Sequence, residues 1–430
     1  MRNVIFITFV VVVVFFLYQF VNQQLKPSYL PFERPADTIM YQPAVEIQST
    51  VSLFSTSVPQ VTQIEITPDG NSMLVGTLPG TIWIYHKIDG VFRKQVEPFF
   101  VVKTSQPGWP PQEAGLTGIV LGADFEASGD VFLNYSFAFE KKSFRNRVLR
   151  VTFTKKGQKY IGTNPTEIFE ANAPGTGSHQ IQDGVGIMIA GVSHVLFTIG
   201  EGFVAERALD PKQEAGKIML LQRDGSTPVG SRPYPEEPKV QAIGIRNAPA
   251  IAYDKKEGKV AIADTGPNNF DRLIYGSLFD STGNSTQKLS FNWDGTEESL
   301  RKGSLDAYDH NKEMILHRWA PTETAVNIAF YQNDRLPKLE ADQQYILIIL
   351  FGKTGEKQNK PGKQIMLGVL TKGANNTVAM EPFIERAPEG EGKLGHPLGL
   401  AVDPVTKDIY FGDIIDGRIY KIEIGGEQHE

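Results

Sequence analysis

A short phrase recurs six times along this 430-residue chain, and nothing else in the sequence constrains the fold as tightly. Each copy is an apolar run, a polar turn, a second apolar run and a Gly or Asp. The clearest is Leu400-Ala401-Val402-Asp403-Pro404, a Thr-Lys-Asp turn, and Ile409-Tyr410-Phe411-Gly412-Asp413, with a third run, Arg418-Ile419-Tyr420-Lys421-Ile422, behind it. Earlier copies start near Ile66, Leu121, Ile187, Ile251 and Ile328, a spacing of roughly 55 to 80 residues. Regular recurrence means one supersecondary unit used repeatedly. Three short strands per unit, divided by Gly, Asp and Pro turns, describe a propeller blade. The expected fold is all-β, a six-bladed β-propeller.

The strand-like runs agree. Met73-Leu74-Val75, Thr81 to Tyr85, Val131 to Tyr135, Val195 to Ile199, Lys259 to Ala263 and Tyr345 to Ile349 are rich in β-branched and aromatic residues. Such runs suit central strands buried on both faces. Helical periodicity is confined to one short helix expected within Ala205 to Gln213.

The chain opens on a nearly pure apolar run, Val4 to Val21, preceded by one charge, Arg2. No small-x-small cleavage pattern follows, so residues 1–21 read as an uncleaved transmembrane helix rather than a cleaved signal. Pro27, Pro31, Pro35 and Pro43 make 22–45 a stiff tether. Residues 46–430 show no linker and form one expected propeller domain. With the N-terminus inside, this domain lies outside the cytoplasmic membrane, periplasmic or extracellular. The net charge of −6 and the lack of a basic block argue against nucleic acid. Cysteine is absent, which excludes disulfides, thiolate metal sites and a cysteine nucleophile. No phosphate loop, Gly-x-Ser-x-Gly elbow or His-Glu-x-x-His helix occurs.

On a propeller, chemistry belongs to the loops. The long stretches 154–186, 202–250 and 275–327 are the ones expected to build a pocket. Several phrases there and nearby share an order and spacing. They are Glu113-Ala114-Gly115-Leu116, Gly177-Ser178-His179, Gly200-Glu201, Gly216-Lys217, Gly244-Ile245-Arg246-Asn247, Asp264-Thr265-Gly266-Pro267, Phe291-Asn292-Trp293 and Trp319-Ala320-Pro321. Together, over residues 58–424, they resemble the soluble-type quinoprotein glucose/sorbosone (aldose sugar) dehydrogenases. That family consists of six-bladed propellers that use pyrroloquinoline quinone (PQQ) and calcium.

The resemblance implies roles for particular residues. His179 matches the base that takes the proton of the anomeric hydroxyl. The following stretch is about three residues longer than the family pattern, so Gln182 is an alternative occupant of that position. Arg246, Asn247 and Lys353 match residues that hold the quinone, and Gly266 and Pro267 match positions whose carbonyls bind calcium. The chain also departs from the pattern. Ala114 stands in place of Gln, Thr265 in place of His, and His396-Pro397-Leu398-Gly399 where the family has Arg-x-Arg-Asp. Two functions are therefore expected as alternatives. One is a divergent dehydrogenase that oxidises an aldose at its anomeric carbon. The other is a non-catalytic propeller that has lost the cofactor and binds a carbohydrate or a protein partner.

Other residues receive plainer readings. His194 is expected in a solvated turn. Asp264, Asp294, Asp403 and Asp413 are expected to cap local amides. Trp293 and Trp319 are expected to pack rather than to stack on sugar.

Overall fold

The six apolar runs that open the repeats become six innermost strands: Val61–Ile66, Leu116–Leu121, Ile181–Ile189, Ala250–Asp254, Ala325–Tyr331 and Pro397–Val402. The computed structural model describes residues 47–425 except 48, 56–57, 105–112, 141–142, 174–176, 268–270, 281, 286, 297–298, 300–313, 320–321, 353–363, 374, 385–395 and 415–416. Each inner strand heads its own sheet, whose next two strands follow in chain order by antiparallel pairing; the third sheet ends on Leu289–Ser290, which pairs parallel with Val240–Ile243. The inner strands touch their neighbours all the way round, the sixth returning to the first. This closes a six-bladed β-propeller.

Both ends of the sheet-forming chain complete the last blade. Ser49–Ser55 pairs antiparallel with Arg418–Ile424, Ser49 opposite Ile424 and Leu53 opposite Tyr420. The sixth blade is thus Pro397–Val402, Ile409–Asp413, Arg418–Ile424 and Ser49–Ser55. The expected anchor and tether, residues 1–45, lie outside the described residues. Among the described residues no helix is long and apolar enough to cross a membrane.

Blades stack face to face, so their middle strands are buried on both sides. Tyr345 to Leu350 is buried throughout, as its unbroken apolar run requires. Core clusters lie between neighbours. Ile187, Leu196 and Ile218 of the third blade pack with Ile251, Ile262 and Ile274 of the fourth. Near the axis, polar side chains join alternate blades. Asn327 Nδ2 of the fifth blade donates to Gln63 Oε1 of the first at 3.0 Å, and Gln63 also bonds the Asp183 carboxyl of the third.

Three local expectations change. The helix within Ala205 to Gln213 is a single 3-10 turn, Ala205–Arg207. Pro211 has no N–H to continue it. His194 is fully buried rather than solvated. The turn falls earlier, at Ala190 and Gly191, which both have positive φ, so His194 sits inside strand Val192–Ile199. Its Nδ1–H donates to Val192 O at 2.9 Å. The stretch 154–186 is mostly strand, because Lys159–Ala173 pairs with Ser143–Lys156 as a long outer hairpin.

Candidate active site at the rim of the propeller

The segments that lead into the inner strands converge on one rim. Glu113, His179, Arg246 with Asn247, Glu323 with Thr324, and His396 all lie within a few residues of an inner strand's first residue. Hydrogen bonds tie the second to the third and fourth blades there. Glu113 Oε2 accepts the His179 N–H at 3.0 Å. The Glu201 N–H donates to Arg246 O at 2.8 Å. Gln182 Nε2 donates to Asn247 Oδ1 at 3.1 Å.

His179 is buried, and its Nδ1–H donates to Glu201 Oε1 at 2.6 Å. Its Nε2 has no hydrogen-bond partner among the described residues. The phenyl ring of Phe203 stacks on the imidazole, with centroids 4.0 Å apart and planes 20° from parallel. The loop that brings Glu201 here approaches closely. A Cβ on Gly200 would lie 2.6 Å from His179 O and 2.9 Å from Asn247 Oδ1, so only glycine fits. Gln182, the alternative to His179, braces Asn247 instead. The longer stretch is accommodated by a bulge between Ile181 and Gly184 in the pairing with Val192–Ile199.

Arg246 is buried, and its guanidinium Nη1 donates to Thr265 O at 2.8 Å and lies over Trp293 at 5.5 Å. Burial pulls its pKa below the usual value, against the carboxylates of Asp264, Glu201, Glu113 and Asp271. Asp264 Oδ1 accepts the N–H groups of both Arg246 and Asn247, at 3.1 and 2.8 Å. It is therefore not a local cap. Asp294 and Asp403 do cap amides two or three residues on. Trp293 is buried with Ala208, and Trp319 lies in the core between the fourth and fifth blades.

Gly266 donates its N–H to Asp271 Oδ1 at 2.7 Å. No described donor reaches the carbonyls of Gly266 or Pro267. Asp271 Oδ2 accepts the N–H groups of Glu323 and Thr324 at 2.8 and 2.7 Å. Burial raises the Asp271 carboxyl to about 6. Burial, and then the charge of Asp271, raise Glu323 to about 7. His179, Phe203, Asn292 and Thr324 all hold left-handed φ values between 55 and 61°. Non-glycine residues hold such values when the surroundings over-determine them, and they cluster at functional sites.

The rim thus gathers His179, Gln182, Arg246, Asn247 and Gly266, with Pro267 next to Gly266. Lys353 lies outside the described residues. Where the family has two arginines, His396 donates Nδ1–H to Phe351 O at 3.1 Å and Leu398 packs against the core of the fifth and sixth blades. Buried Arg246 Nε, Trp293 Nε1, Asn292 Nδ2 and Thr265 Oγ1 have no hydrogen-bond partner among the described residues. Such groups are costly to bury unmet. Among the described residues no group of three His, Asp or Glu side chains forms a metal cluster. Two flank grooves, of about 490 and 770 Å³, are lined by none of these residues.

Sequence reasoning gave no role to Phe203, Asp271 or Arg272. A signal for Arg272 was available: it is a lone cation in the apolar run Leu273-Ile274-Tyr275, where burial demands a partner.

Comparison with known proteins agrees with this fold. The glucose/sorbosone dehydrogenase family model matches residues 58–346. The match ends before the His396 to Gly399 segment. Aldose sugar dehydrogenase YliI of Escherichia coli (strain K12) is 22% identical over 267 residues, 59% of this chain and 69% of that protein. Among solved structures, the PQQ-bound aldose sugar dehydrogenase of Streptomyces coelicolor superposes with TM-score 0.64 at 18% identity, covering 89% of this chain and 100% of that one. The apo-form soluble aldose sugar dehydrogenase of Escherichia coli gives 0.62 at 15% identity, covering 87% and 99%. At these identities the superpositions show the fold. The family match spans more than half of the sequence, and the chain belongs to the glucose/sorbosone dehydrogenase family.

Proposed function

We propose that the rim oxidises an aldose at its anomeric carbon, outside the cytoplasmic membrane, with His179 as the general base. The observation that carries this reading is the buried bond from His179 Nδ1 to Glu201 Oε1. Donation to the carboxylate fixes the tautomer and leaves the Nε2 lone pair to accept the proton of a sugar hydroxyl. As that proton arrives, the Glu201 carboxylate stabilises the imidazolium. The names of the relatives, aldose sugar dehydrogenases, support the substrate class. The apolar run from Val4 to Val21 supports the location.

The residues present fit PQQ and calcium. The Arg246 Nε and Trp293 Nε1, unmet among the described residues, suit acceptor oxygens, and the carbonyls of Gly266 and Pro267, which no described donor reaches, suit a hard cation. Arg246, Asn247 and Lys353 would hold the quinone, and the two carbonyls would hold the metal. When bound, the quinone supplies the acceptor for the hydride that leaves the sugar. Gln182 keeps Asn247 oriented, and Asp264 keeps Arg246 and Asn247 in register.

One observation favours the second reading, a carbohydrate-binding propeller without redox chemistry. His396 and Leu398 offer no cation where the family has two. Titration of the full chain with PQQ and calcium, followed by dye reduction with glucose and other aldoses, separates the two. The dehydrogenase reading expects saturable micromolar quinone binding and aldose-dependent reduction, both lost from no variant but those of the rim. Sugar binding with no saturable quinone binding establishes the second reading instead.

A further inference from the structure

Phe203 stands out as an apolar ring left 56% exposed beside a buried imidazole. Its backbone is left-handed, with φ of 61°, a conformation that a phenylalanine adopts only under constraint. The constraint comes from the residues it flanks. The N–H of Gly202 donates to His179 O, and the N–H of Val204 donates to Glu201 O, both at 3.1 Å. The turn that presents Phe203 is therefore pinned at each end to a member of the His179–Glu201 pair.

The pair alone under-determines the imidazole. One hydrogen bond at Nδ1 fixes that atom and leaves the ring free to roll about the contact. A flat apolar surface 4.0 Å away, 20° from parallel, removes the roll. Phenyl also offers no polar atom to compete for Nε2, and it shields one face of the ring from water.

We propose that Phe203 is a positioning residue: it clamps the His179 ring against Glu201 and leaves Nε2 without a competing polar neighbour. This inference rests on the reading of His179 as the base. It assigns Phe203 no contact with the reacting atoms.

The test uses the full chain labelled with 15N-histidine, with His179→Gln to assign the signal. The wild type is expected to show one Nδ1–H tautomer for His179. Phe203→Ala is expected to keep that tautomer, which Glu201 holds, but to broaden the His179 ring signals by exchange between orientations, and to give a kcat for glucose lower by roughly 10- to 100-fold, the scale of a small misplacement of a reacting group, with KM changed by less than about twofold. Phe203→Tyr, which keeps the ring, is expected to restore both readouts. Because the ring is exposed, Phe203→Ala should leave thermal unfolding near the wild type. The proposal is overturned if Phe203→Ala leaves the His179 ring signals as sharp as in the wild type, or if kcat falls with KM rising in step, or if tyrosine does not rescue. A wild type inactive on every aldose would sink the function reading itself, and the sharpness of the His179 ring signals would still decide the clamp.

Discussion

Arg272 and Asp264 form an ion pair with no solvent exposure beneath the Arg246–Asn247 loop. Asp264 uses one oxygen for Arg272 and the other for the backbone N–H groups of Arg246 and Asn247. Arg272 also donates to Phe291 O, next to Asn292 and Trp293. Two rim segments far apart in sequence therefore share one buried anchor.

Removing one partner of such a pair leaves the other a buried charge without its counter-charge. Arg272→Met is expected to lower the unfolding free energy by about 3–5 kcal/mol. Asp264→Asn combined with Arg272→Met should cost less than the sum of the single changes. Urea unfolding of the three variants checks this, and additive costs would contradict the shared-anchor account.

The dyad makes a kinetic prediction. His179→Gln should lower kcat for glucose by about 10²–10⁴, the usual contribution of a positioned general base. Glu201→Gln should give a smaller loss, because the base remains and only its orientation and charge support are weakened. Circular dichroism should be unchanged in both. Turnover of His179→Gln within threefold of the wild type would remove the imidazole from the mechanism.

Gly200 separates geometry from chemistry. Gly200→Ala places a methyl against His179 O and Asn247 Oδ1, so the loop carrying Glu201 must withdraw. Saccharide oxidation should fall at least tenfold, in line with the sensitivity of catalysis to small displacements. An alanine variant with normal kcat and KM would show that the loop has room to spare.

Asp183 sets a pH dependence of stability. Burial pushes its carboxyl up to about 7, against hydrogen bonds from Gly184 N–H and Gln63. Glu65 is also raised, by burial first and then by Asp183. Between the ordinary carboxylate range near pH 4 and pH 7, the unfolded chain gives up protons that the native state keeps. The unfolded state then binds fewer protons, so stability falls as pH rises through that window and levels off above it. Asp183 alone accounts for up to about 4 kcal/mol of this fall. Asp183→Asn should remove its own share of the slope, leaving that of Glu65, Asp271 and Glu323, and be the more stable protein at about pH 7.5. Urea unfolding across pH 4–8 measures it, and an unaltered slope would rule out Asp183 as the source.

How much of this was legible beforehand varies by residue. All six inner strands could be located, because an apolar run bounded by turn residues is a local signal. Arg246, Asn247 and Gly266 could be placed near a site by their phrases. The choice between His179 and Gln182 could not be made, because it depends on a bulge that absorbs extra length within a strand pairing. Asp264 was misread because its partners lie 17 and 18 residues back along the chain, beyond what a capping pattern reveals. His194 was misplaced by a turn that comes earlier than the polar residues suggest. Phe203 carries no motif, and its role depends on a ring stacked across a loop.

The pairing of Ser49–Ser55 with Arg418–Ile424 also governs when the molecule can finish folding. An early strand waits, unpaired, until nearly the whole chain has been synthesised. Contacts of such long sequence separation form slowly, and until then the sixth sheet presents an open edge, the kind of surface on which chains aggregate. A chain cut short before Arg418 lacks the partner of Ser49–Ser55, and its sixth sheet stays open.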